Sequence, residues 1–233
     1  MRITSVIGIL VMVCVFAAAA GCTSPQTTPV IITPDVTVTP AGTTDKTDIE
    51  KNFLAIPKAP LNASETEDAL FLQESEKLSH DLNVKLYGLH NDQPVFLQIA
   101  NASKILVAVD NVILTRYGLA NPENAVPGVF SNSALQNMYN NGVNSGLSSS
   151  ADALKSSAAV EDMHIADLSN AMGRTDHNDL LYMYRQELAS SRNNLRSLSE
   201  RISAFGQTYT PRYITPASYA EIISSPAEQL PVQ

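Results

Sequence analysis

The chain has 233 residues, 44% of them hydrophobic, with 15 Lys and Arg against 23 Asp and Glu for a formal charge of −8. An acidic chain of this kind presents no basic face to a polyanion, which excludes general nucleic-acid binding. Two cysteines cannot build a disulfide scaffold, and no Cys/His spacing matches a zinc finger.

Residues 1–21 read as a secretory signal, because Arg2 precedes an apolar run from Val6 to Ala20. The run closes in Ala19-Ala20-Gly21-Cys22, which resembles the lipobox of prokaryotic lipoproteins. That resemblance implies cleavage before Cys22, lipid attachment to its thiol, and a domain held by that lipid on the extracytoplasmic face of the cell membrane. Two acyl or ether chains anchor stably where one does not. An uncleaved membrane anchor is the alternative, although the run is shorter than the roughly 20 residues that span a bilayer.

Residues 22–63 repeat Thr and Pro, as in Thr27-Thr28-Pro29 and Thr37-Val38-Thr39-Pro40, and read as an extended tether. From residue 64 the rhythm becomes helical. Ser64 and Glu67 fit a capping box, and Phe71, Glu74, Leu78, Leu82, Lys85 and Leu89 share one face of a first long helix. A second runs from Asp92–Pro94 to Tyr117-Gly118, with Ile99, Ser103, Leu106, Val109, Ile113 and Tyr117 inward. A longer crossover follows, holding a short helix at Ser133–Asn140 and then loop through Ser150. A third long helix starts at Ser149–Asp152 and ends at Gly173, with Leu154, Ala158, Glu161, Ile165, Leu168 and Met172 inward. Asp176 is expected to cap a fourth, which runs to Phe205 on a stripe that includes Tyr184, Leu188, Ser191, Leu195 and Leu198. The expected architecture is all-α, a four-helix bundle over residues 64–206 with one longer crossover and a tail, 207–233, packed across it.

The residues also carry a family resemblance. Glu74-Ser75-Glu76-Lys77-Leu78, Arg116-Tyr117-Gly118-Leu119, Gly128-Val129-Phe130, Glu161 to Leu168, Ser191-Arg192-Asn193 and the trailing Tyr209, Tyr213 and Tyr219 follow in order. Together they resemble the ferritin-like domain of unknown function found in archaeal and bacterial envelope proteins. The resemblance implies kinship with bundles that hold two metal ions between facing helices, where carboxylates bridge the ions and imidazoles complete coordination. Glu161 and His164 have the Glu-x-x-His spacing, and Glu74 offers a carboxylate from the first long helix; these are the candidate metal ligands. The family carries Glu and His where Ser103 and Leu106 stand, and His where Asn194 stands.

Other polar residues have plainer expectations. Glu76 and His80 read as an exposed pair on a flank, and Asp110 as a partner for Arg116 or an arginine of the fourth helix. Arg192, Arg196 and Arg201 read as a solvated face, and His90 and His177 as turn residues. No phosphate-binding glycine loop, cysteine nucleophile or nucleophile elbow appears. Two functions follow. The first is a lipid-anchored binding or structural module without a cofactor, its protein partner unnamed by the sequence. The alternative is a metal-dependent oxidase or metal-binding protein that holds iron or manganese in a reduced Glu/His site.

Overall fold

Apolar residues at spacings of three and four form helices wherever the computed structural model describes the chain, residues 46–230. Seven helices and no strand occur among these residues: α1 (Lys46–Ala55), α2 (Ala63–Leu89), α3 (Val95–Tyr117), α4 (Ser133–Gly146), α5 (Ser150–Met172), α6 (Asn178–Ala204) and α7 (Pro216–Ser224). The expected signal at 1–21, Cys22 and the first part of the tether lie outside the described residues.

The helix ends follow local chemistry. α2 opens on Asn62, whose Oδ1 accepts the Glu65 amide at 3.0 Å while Glu65 Oε2 accepts the Asn62 amide at 2.8 Å. This capping box lies two residues before the expected one, since asparagine caps as well as serine. Gly118 ends α3 in the left-handed conformation, φ 69°, which glycine adopts without a Cβ clash. Ser149 caps α5 by accepting the Asp152 amide. At the start of α6 the cap position is His177, one residue past the expected Asp176, and no side chain bonds there.

α4 corrects the expectation of loop beyond Asn140. It continues to Gly146, because Gly142 and Gly146 let its backbone close on Leu82 and Leu86 of α2. Glycine costs a helix about 1 kcal/mol relative to alanine, and this close packing outweighs the penalty.

α2 packs on α3 and α5, and α6 packs on the same two helices. The four long helices therefore enclose one interior, filled by Leu78, Leu82, Val109, Leu154, Leu195 and Leu198. α3 is long and apolar enough to cross a membrane by length and composition, and here it packs against α1, α2 and α6.

α1 falls within the stretch read as tether. It lies on α3 and α6, with Ile49 and Phe53 fully buried. Arg116 pins its end: Nη1 donates to the Phe53 carbonyl at 2.8 Å, Nη2 donates to the Ile56 carbonyl, and the guanidinium lies over the Phe53 ring. The tail is fastened by one carboxylate. Asp162 of α5 accepts the Tyr209 hydroxyl and the amides of Arg212, Tyr213 and Ile214 at 2.5–3.2 Å. Arg196, expected on a solvated face, is buried and donates to the Ile222 carbonyl and to Glu228.

Candidate functional site

A second, polar stripe runs beside the apolar one on each long helix. Glu76 and Ser79 lie one turn apart on α2, and Ser103 and Asp110 lie two turns apart on α3. Glu161 and His164 are one turn apart on α5, and Glu187, Ser191 and Asn194 follow one face of α6. These stripes meet in the interior. Glu76, Asp110, Glu161, His164 and Glu187 are each at most 3% exposed. Among the described residues, none of the four carboxyls is ion-paired to a lysine or arginine. Lys77 is committed to Asp81, Arg116 to Asp179, and Arg196 to Glu228.

Glu161 is the best satisfied of the group. Ser79 Oγ donates to its Oε1 at 2.8 Å, Ser103 Oγ donates to Ser79 Oγ at 3.0 Å, and Asn194 Nδ2 reaches its Oε2 at 3.3 Å. His164 Nδ1 stands 3.7 Å from Glu76 Oε1, too far for a hydrogen bond. Both ring nitrogens of His164 and both oxygens of Glu187 lack a hydrogen-bond partner, as does Asp110 Oδ2. The Glu187 and Asp110 carboxyls face one another, and a proton kept on Glu187 eases the repulsion between them.

Burial without a counter-ion determines the protonation of this set. Burial pushes the Glu161 carboxyl up to about 7, against the hydrogen bonds from Ser79, Asn194 and Ser191. Burial, then the charges of Glu161 and Asp110, hold Glu76 well above the usual carboxylate range. Burial, then the Asp110 and Glu76 charges, do the same to Glu187, and Asp110 is raised by burial. The His164 imidazole is pushed down to about 4 by burial and stays neutral, with a lone pair available.

The structure brings Glu161 and His164 to this interior and turns Glu74 away from it. Both Glu74 oxygens are occupied: Oε1 accepts the Ser131 amide and Oε2 accepts the Asn132 amide at 3.0 Å, so Glu74 holds the crossover against α2. Two expectations are corrected. Glu76 is buried rather than flanking, because it shares with Leu72, Ser79 and Asn83 the face of α2 that meets α3 and α5. Asp110 faces Glu187, since Arg116 is drawn away to α1 and Asp179. Glu187 was missed, although it lies one turn from both Tyr184 and Ser191 on the stripe already recognised. Leu106 is buried, while Ser103 and Asn194 contribute hydrogen bonds to the Glu161 network.

The donor types are those that metal ions take. The set combines four carboxyls with one neutral imidazole, gathered from four helices, and five of its atoms lack partners. No three of its ligand atoms lie within 4.8 Å of one another. Among the described residues, the trio whose ligand atoms lie within 4.8 Å of one another sits elsewhere, at Glu65, Asp176 and His177.

The model of an uncharacterized protein domain family, DUF2202, matches residues 65–226. The chain is 35% identical over 176 residues to the uncharacterized protein MJ0754 of Methanocaldococcus jannaschii, an alignment covering 75% of this chain and 95% of that protein. The crystal structure of the hypothetical protein MJ0754 is similar with a TM-score of 0.72 and 34% identity, covering 75% of this chain and 99% of that one.

Proposed function

The chain belongs to the DUF2202 family, and on that premise we propose that it is a metal-binding protein whose ferritin-like four-helix bundle holds iron or manganese in its interior. One observation carries this reading: four buried carboxyls and a neutral histidine converge from four helices with no cation among them. Groups of that kind left unpaired are costly to bury, and a bound cation removes the cost. Glu76, Asp110, Glu161, His164 and Glu187 are the proposed ligands; they keep Glu161 and His164 of the expected trio, put Glu76 in place of Glu74, and add Asp110 and Glu187. Several carboxylates with one imidazole suit iron or manganese better than magnesium. When bound, such an ion supplies Lewis acidity and one-electron redox chemistry. The chain itself supplies a buried setting, a lone pair on His164, and Ser79 and Asn194 to orient the Glu161 carboxylate.

The test is metal analysis of the full chain after anaerobic reconstitution with Fe(II). Wild type is expected to retain stoichiometric iron, with loss in Glu161→Ala, His164→Ala and Glu187→Ala. Iron-free wild type, or unchanged iron in the three variants, overturns the proposal.

A second reading, a binding or structural module with decayed metal chemistry, is favoured by Ser79 and Asn194, which already satisfy much of Glu161. It is the conclusion to which a failed reconstitution leads. In either case we propose that a lipid on Cys22 holds the domain at the extracytoplasmic face of the cell membrane. The support is the apolar run ending in Ala19-Ala20-Gly21-Cys22.

A further inference from the structure

Where α2 and α6 begin, Glu65, Asp176 and His177 each bring a ligand atom to within 4.8 Å of the other two. Glu65 is fixed in advance. The α2 capping box holds its Oε2, and Thr175 Oγ1 donates to its Oε1 at 2.6 Å. Each oxygen keeps a further lone pair. The His177 ring stands beside this carboxylate with Nε2 at 3.7 Å from Glu65 Oε2, beyond hydrogen-bond reach. Its Nδ1 is buried and has no partner. Two ligand atoms that share an ion at about 2.1 Å stand roughly 3–4 Å apart, and this gap lies in that range. Asp176 is exposed, so water can complete the coordination.

A buried polar group lies two helical turns from His177 along α6. Tyr184 is 1% exposed, and its hydroxyl has no hydrogen-bond partner. Burial, then the charges of Glu187, Asp68, Asp110 and Glu65, keep this phenol protonated.

We propose that Glu65, Asp176 and His177 form an outer site for a divalent first-row transition-metal ion, distinct from the interior set. One imidazole with two carboxylates favours such ions over magnesium or calcium. The outer site stands whether or not the interior holds metal, because the two share no ligand.

Equilibrium dialysis of the metal-free full chain against Co(II) tests it. Asp176→Asn and His177→Gln spare the capping box, and neither native side chain caps α6, so circular dichroism should report unchanged helix content. Each is expected to lose one equivalent of Co(II) relative to wild type. The double variant Glu161→Gln/Glu187→Gln, which disables the interior alone, is expected to keep that equivalent. Retention of the wild-type count in either outer-site variant overturns the site and leaves a plain ion pair. A wild type that binds no Co(II) overturns it too, and loss of all Co(II) in the interior double variant overturns the separation of the two sites.

Discussion

At the scale of single residues, the interior acids make stability depend on pH in a definite direction. Glu161 in the folded chain keeps its proton up to about 7, whereas its ordinary value is 4.5. The unfolded chain therefore releases that proton first, and the stability it contributes is lost as pH rises through that window. One pKa unit corresponds to about 1.4 kcal/mol, so Glu161 alone accounts for about 3 kcal/mol. His164 acts in the opposite sense. Its folded value is held down near 4 against 6.5, so its contribution is lost as pH falls through that interval. Asp110, Glu76 and Glu187 are all raised and tip the balance. The urea midpoint of the metal-free protein is expected to fall between pH 5 and pH 8, and Glu187→Gln to flatten the fall. A wild-type midpoint that is constant or rising over that range would contradict this protonation of the interior. Part of this set was legible in the sequence. Glu161 lies on a stripe whose other members are apolar, and His164 follows it by one turn, so their inward direction could be read. Glu76 could not, because the inward stripe of α2 reads through Phe71, Lys85 and Leu89, whereas the face that meets α3 and α5 runs through Leu72, Glu76, Ser79 and Asn83.

At the scale of elements, regular periodicity marked the four long helices, and short-range signals set their ends to within a residue or two. Where the reading went astray, a distant contact had outweighed a local preference. Asn140-Asn141-Gly142 looks like loop, yet α4 passes through it because its glycines close on Leu82 and Leu86. α1 was hidden in a Thr/Pro-rich region, and its two buried residues, Ile49 and Phe53, are too few to give a period. The crossover shows the same dependence on distant groups. Gly128, at φ 76°, donates its amide to Asp81 and leaves no room for a Cβ beside the Tyr139 ring. The tail gives a sharper test of such long-range fastening. Asp162→Ala removes one acceptor from three amides and a phenol, and bonds to a charged acceptor contribute about 1.5–3 kcal/mol each before relaxation. The expected outcome is a loss of about 2–4 kcal/mol in stability, with new proteolytic cleavage between Gly206 and Pro216. Unchanged protection of that segment would show that α7 and Glu228 suffice to hold the tail.

At the scale of the whole molecule, the family match over residues 65–226 begins in the first turn of α2 and ends beyond α7, so α1 lies outside that match. The lipid proposed for Cys22 belongs to this scale. Mass spectrometry of membrane-extracted protein is expected to find a chain that starts at Cys22 and carries acyl or ether lipid on its thiol. An intact Met1 or an unmodified Cys22 would defeat that proposal. One fastening has a consequence for how the interior works. Asp162 is clasped by the tail, and Glu161 precedes it in the same helical turn. α5 therefore cannot rotate about its own axis without tearing the tail free. Its angular setting is locked, and Glu161 and His164 can close on the proposed ion only by side-chain torsions, as fingers close on a hand that does not turn.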